Sequence, residues 1–139
     1  MDKEKIAYAS GFFDGDGCIT TGSGYTFRLT LSNTDKRVLD WFQSNFGGTI
    51  NNQHLPANPN HNIAWKWIVA KRSEVLLLLE TFEPYLISKK DQAQAAITFL
   101  QKYNFKVRSG RKVSEEEKSD FDATKDLLKR LKTDKHYPR

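Results

Sequence analysis

Ile6-Ala7-Tyr8-Ala9-Ser10-Gly11-Phe12-Phe13-Asp14-Gly15-Asp16-Gly17 is the stretch on which the reading of this chain turns. Ile6, Ala9, Ser10 and Phe13 fall at helical spacing on one face, and Tyr8, Gly11, Phe12 and Gly15 on another, so a short helix here has two non-polar sides. The chain's own core can cover one of them. The other carries glycine among aromatics, and a glycine inside a helix costs about 1 kcal/mol relative to alanine. That cost is tolerated where two backbones come close, so this face predicts a helix-to-helix contact. Asp14 and Asp16 close the helix at the negative pole of its dipole, where each acid is disfavoured by roughly 0.3–1 kcal/mol. Local stability does not account for them, and a cationic partner is expected: an opposing helix N-terminus, a divalent metal, or both. Asp-Gly-Asp-Gly is also plain turn chemistry. An EF-hand calcium loop is excluded, because its remaining oxygen ligands and its glycine would fall on Cys18, Tyr25 and Ile19.

The chain has 139 residues, a length suited to one domain with a self-supporting core. Lys plus Arg outnumber Asp plus Glu by 22 to 17, a net charge of +5, which favours a polyanionic partner without requiring one. The single cysteine, Cys18, excludes an internal disulfide and a cysteine-rich zinc site. The N-terminus lacks an apolar h-region and the longest greasy run, Val75 to Leu79, is far too short to span a bilayer, so a soluble intracellular protein is expected. No nucleotide loop, Ser-His-Asp order or zinc spacing points to small-molecule chemistry.

Outward from the opening helix, Cys18 to Thr21, the break Gly22-Ser23-Gly24 and the alternating run Tyr25 to Asn33 predict a β-hairpin with one greasy and one polar face. Asn33-Thr34-Asp35 starts a helix through Val38, Leu39, Trp41, Phe42 and Phe46, stopped by Gly47-Gly48 and expected on the back of the hairpin. A second strand pair follows, Thr49 to Gln53 and Ile63 to Ala70, joined by a polar loop whose His54 and His61 read as solvated. Ser73 is a plausible cap for a helix running to Phe82, which Pro84 ends or bends, and another helix runs from about Lys90 to Tyr103. A basic link leads to Ser114-Glu115-Glu116-Glu117, a capping box opening a helix striped by Phe121, Thr124, Leu128 and Leu131. This order predicts an α+β domain with an antiparallel sheet covered on one side.

The segment Ala9 to Gly17 resembles the signature of the LAGLIDADG homing endonucleases. It keeps the small residue and glycine, the apolar positions, both acids and the last glycine, with Ala9 where leucine is usual. The element order resembles that family's αββαββα core over about residues 6–103, with a C-terminal helical extension at about 114–132. The resemblance implies a sheet forming a DNA-binding saddle and, with one motif in the chain, a homodimer paired through the opening helices at Tyr8, Gly11, Phe12 and Asp14. It further implies Mg2+ or another divalent cation such as Mn2+ held by Asp16 and the Gly15 carbonyl, with Asp14 in a more structural role at the paired helix ends. Lys89 is selected as a catalytic group by the likeness of Glu83 to Ala93 to the family's lysine segment, with Lys90 its nearest competitor. Asn33 and Arg37 resemble the family's polar amide at the end of the second strand, more commonly Gln, and its arginine four residues later, which implies catalytic roles for both, though Asn33 also reads as a simple cap.

The expected base-reading residues are Thr20, Thr26, Arg28, Thr30, Ser32, Thr49, Asn51, Gln53 and Lys66, a mixture suited to major-groove edges. Lys71, Arg72, Lys106, Arg108, Arg111 and Lys112 are expected at phosphates. The activity implied is metal-dependent hydrolysis that breaks both strands of a long, nearly palindromic DNA target, with the protein encoded by an intron. The alternative is a non-cleaving relative acting as an intron-splicing maturase or DNA-binding regulator. No membrane and no small-molecule substrate are implied.

Overall fold

In the computed structural model, which describes residues 2–52, 63–103 and 113–133, Asp2 opens the first helix, α1 (Lys3–Asp16), by accepting the Glu4 amide at 2.8 Å. This cap, rather than the apolar periodicity that begins at Ile6, sets where the helix starts. Ala9, Ser10 and Phe13 are buried, and the Ser10 hydroxyl donates to the Ile6 carbonyl at 2.6 Å, which satisfies it inside the core. Gly17 terminates α1 by donating its N–H to the Phe13 carbonyl. A Cβ at Gly17 would strike the Phe13 ring, so the last glycine of the motif is a packing requirement.

Four strands follow in the sequence: β1 (Gly17–Gly22), β2 (Thr26–Asn33), β3 (Thr49–Asn52) and β4 (Trp65–Val69). They form one antiparallel sheet in the order β1-β2-β4-β3, so β4 enters between β2 and β3. Tyr25, expected within the second strand, stands in the turn at φ 60°. There its carbonyl accepts from Arg72 at 2.7 Å and its ring meets Phe121 edge-on at 5.4 Å, contacts that hold an unfavourable backbone conformation.

The sheet's inner face carries Ile19, Phe27, Leu29, Leu31, Trp67 and Val69, all buried. The helix α2 (Lys36–Phe46), capped by Asp35, packs across β4, β2 and β3 rather than on the hairpin alone. The reason lies in Trp67: its ring packs at a tilt against Phe42, centroids 5.0 Å apart, and its Nε1 donates to the Gly47 carbonyl at 2.7 Å. Gly48, at φ 85°, passes so close that a Cβ would lie 2.7 Å from Trp67 Nε1.

The helix α3 (Arg72–Phe82) begins at Arg72 with Lys71 as its cap, so Ser73 falls inside the first turn instead of capping it. Pro84 lies in a single 3₁₀ turn, Glu83–Tyr85, that ends α3 as its missing N–H requires. α4 (Lys90–Lys102) and α5 (Glu115–Thr133) complete the described helices. The Glu117 amide donates to Ser114 Oγ at 3.1 Å, as the capping box predicts. Phe121 and Leu128 of α5 join the same buried cluster as Phe27 and Phe99.

Candidate metal and nucleic-acid site

The end of α1 gathers most of the chemistry. Asp14 directs its carboxylate at the turn before α4, accepting the amides of Ile87 (3.2 Å), Ser88 (3.1 Å) and Lys89 (2.9 Å). The opposing helix N-terminus expected for this acid is therefore the chain's own. The Lys89 ammonium returns to the Asp14 carbonyl at 2.7 Å. Lys90 faces elsewhere, donating to the Glu83 carbonyl at 3.0 Å and carboxylate at 3.2 Å. Hydrogen bonds from Gln94 first and Lys90 second hold the Glu83 carboxyl below the usual carboxylate range. Asp16 is exposed, and its carboxylate has no hydrogen bond or ion pair with another described residue.

Asn33 lies at the end of β2, whose register sets Leu31 opposite Gly17 at the α1–β1 junction. Its side-chain oxygen accepts the Asp35 amide at 2.8 Å, an Asx turn leading into α2, whose cap is Asp35 rather than Asn33. Asp35, in turn, accepts the Arg37 amide and both ends of its guanidinium, at 3.0 and 2.8 Å. This fork lowers the Asp35 carboxyl and raises the Arg37 guanidinium from their ordinary values. Arg37 is 91% exposed and lines an open cleft of about 650 Å³ with Lys5, Tyr8, Val38 and Trp41. That cleft borders the first half of α1, whereas Lys89 and Asp16 stand at its other end.

The outer face of the sheet is polar, as expected. Pairing across the strands sets Thr20 opposite Arg28, aligns Ser32, Lys66 and Asn51, and aligns Cys18, Thr30, Ile68 and Thr49. Cys18 and Ile68 share this face although they are not among the expected base-reading residues; the period-two pattern that turns Lys66 to this side turns Ile68 the same way, and both are half-buried. Thr26 also lies there, its hydroxyl donating to the Ser23 carbonyl at 3.0 Å. Gln53, His54, His61, Lys106, Arg108, Arg111 and Lys112 lie outside the described residues.

Arg72 requires a correction. Expected at phosphates, its side chain is 11% exposed and bonds Glu117 at 3.0 Å, the Tyr25 carbonyl at 2.7 Å and the Tyr103 carbonyl at 3.4 Å. Its guanidinium also lies over the Phe99 ring at 5.5 Å. Sequence gave no sign of this, since its partners are distant in the chain.

The outward face of α1 is only partly covered. Tyr8 touches Trp41 edge-on at 5.1 Å yet remains 53% exposed, and Phe12 leans on Phe42 at 5.9 Å. Between these aromatics and the Asp14 side, a Cβ at Gly11 or Gly15 would meet nothing within 4 Å. No contact among the described residues explains either glycine.

A helix ending in paired acids beside an open-faced antiparallel sheet defines a class of protein. Residues 3–83 match the LAGLIDADG-like domain family, and the chain belongs to that family. Its fold is similar to that of the homing endonuclease I-CvuI, solved with its target and calcium, at 22% identity over 98% of this chain and 87% of that one, TM-score 0.69. It is similar also to the archaeal intron-encoded homing endonuclease I-Vdi141I complexed with DNA, at 14% identity over 100% and 89% of the chains, TM-score 0.72. For the meganuclease I-SmaMI bound to DNA, the match covers 92% of this chain and 45% of that one at 15% identity, TM-score 0.67. No curated protein sequence matches this one.

The donors at the α1 terminus are hard oxygens, which suit magnesium or calcium. Among the described residues no group of three or more His, Cys, Asp or Glu could hold a metal.

Proposed function

We propose that two copies of this chain form a divalent-metal-dependent DNA endonuclease that cuts both strands of a long, nearly palindromic target. The observation that carries the reading is Asp16, an exposed carboxylate without a partner among the described residues, at the end of a helix whose neighbouring acid is fully engaged. Pairing of two α1 helices over Gly11 and Gly15 brings a second Asp16 beside the first and completes the donor set. That the chain covers just under half of I-SmaMI agrees with two copies making one working unit.

In this assembly Asp16 and the Gly15 carbonyl hold the cation, which when bound neutralises phosphate charge and activates water for hydrolysis. Lys89 stands within the same helix end and presents an ammonium to the developing charge on the phosphate. The Asn33 amide nitrogen remains as a donor while its oxygen holds the turn. Arg37 reaches a phosphate by exchanging Asp35 for it, a cheap exchange because the pair is exposed. Thr20, Arg28, Thr30, Ser32, Thr49, Asn51 and Lys66 face the grooves from the open sheet, and Tyr8, Phe12 and Gly11 face the partner.

The test is purified protein with magnesium and the DNA of the presumed intron-insertion site, run beside Asp16→Asn. Cutting by the wild type and binding without cutting by Asp16→Asn support the proposal. Binding without cutting by both proteins favours a maturase or regulator instead.

A further inference from the structure

We infer that Asp14 is a positioning residue for Lys89, acting within its own chain; the inference rests on the endonuclease reading, in which Lys89 faces the reacting phosphate. α4 begins at Lys90 with Lys89 in the cap position, and no side chain of that residue satisfies the first amides. A lysine is a poor cap, and its charge lies at the wrong pole of the helix dipole. The turn that leads into the helix is held instead from outside its own segment.

Asp14 does this with both oxygens: Oδ2 accepts from Ile87 and Ser88 in the turn ahead of the helix, and Oδ1 accepts from the cap residue Lys89 at 2.9 Å. The same residue also receives the other end of Lys89, whose Nζ donates to the Asp14 carbonyl at 2.7 Å. One aspartate thus holds both the backbone and the ammonium of a lysine 75 positions away. A free lysine side chain samples many rotamers; here its ammonium is directed to the end of α1, the helix that carries Asp16.

The first acid of the motif thereby acquires a role beyond joining two protomers. It converts the start of α4 into a rigid mount and aims the lysine across a gap that no local sequence spans. A capping acid with a purely structural role would bind the amides equally well whatever side chain stood at position 89.

The experiment uses the full chain as wild type, Asp14→Asn, Lys89→Met and the double variant, with sedimentation, DNA affinity in calcium and single-turnover cleavage in magnesium measured separately. Asp14→Asn is expected to keep the dimer and to bind DNA within about twofold, yet to cleave about 100-fold more slowly, the scale of a misplaced reacting group. In the Lys89→Met background the same change is expected to add no further loss. Additive losses, or a fall in dimerisation and affinity that matches the fall in rate, overturn the inference while leaving an active nuclease. A wild type that cuts no DNA removes the endonuclease reading and this inference with it. Independently of activity, the surface amides of Ile87, Ser88 and Lys89 should exchange slowly with solvent in the unmodified protein, and at least about tenfold faster in Asp14→Asn, the scale of a lost hydrogen bond. Rapid exchange in the wild type overturns the proposal without any substitution.

Discussion

Two acid–base clusters stand at opposite ends of the β1–β2 hairpin, and their chemistry looks alike on paper. At the turn end, Arg72 meets Glu117, which is 1% exposed, and two backbone carbonyls. At the junction end, Lys89 and the amides before α4 meet Asp14. The difference is what remains. Around Arg72 the charges are enclosed and serve to tie the turn, α3, α4 and α5 together. Beside Asp14 stands Asp16, without a partner among the described residues. Charge and residue type do not separate an enclosed cluster from an open one; the unsatisfied group does.

The comparison breaks most readily at Asp16. Asp16→Asn is expected to slow cleavage by about 10⁴-fold, the scale of losing one essential member of a catalytic set, with the melting temperature unchanged; a stability loss comparable to the activity loss would make Asp16 structural after all. Arg72→Ala should do the reverse. Removing the guanidinium beside buried Glu117 is expected to cost about 3–5 kcal/mol in urea unfolding, while intact stability with weakened DNA binding would restore Arg72 to the phosphate-contacting set. A third variant sharpens the idea that unmet surface marks function. A Cβ at exposed Gly11 meets nothing within 4 Å in the single chain, so Gly11→Leu should leave the fold intact while weakening self-association in sedimentation about 10- to 100-fold.

The smallest expected effect concerns α5. The Asp120 carboxyl is held below its ordinary range first by Lys102, at 2.8 Å, and then by the Tyr103 hydroxyl. Burial first, and Asp120 second, raise the Tyr103 phenol. A carboxyl depressed by folding adds stability that is complete above its unfolded value and is lost as pH falls through its lower folded value. Acid should therefore loosen the contact between α4 and α5, and Asp120→Asn should flatten the acid side of the melting-temperature profile.

Much of this was legible beforehand for identifiable reasons. Helix and strand identities follow from local periodicity, so α2, α4, α5 and the alternating faces of β2 and β4 read directly from the residues. Boundaries were less legible where a distant group decides them: Tyr25 left the strand and α3 began before Ser73 because Arg72 bonds the Tyr25 carbonyl and Glu117. At the candidate site, the motif pointed to Asp14 and Asp16 and the likeness of Glu83 to Ala93 pointed to Lys89, and the fold brings Lys89 to the end of α1. Arg37 was expected with them, but it lines a cleft beside the first half of that helix.

The sequence by itself determined which faces are apolar, where glycines interrupt a helix that would be stronger without them, and that acids occupy an unfavourable helix end. These are properties of neighbours a few residues apart, and spacing alone carries them. The tertiary structure alone decided which acid is engaged and which is left over, which arginine is enclosed, and which lysine points at α1. Each of those outcomes depends on hydrogen bonds between groups far apart in the chain, and such bonds exist only once the sheet order and the helix packing have put their partners in reach.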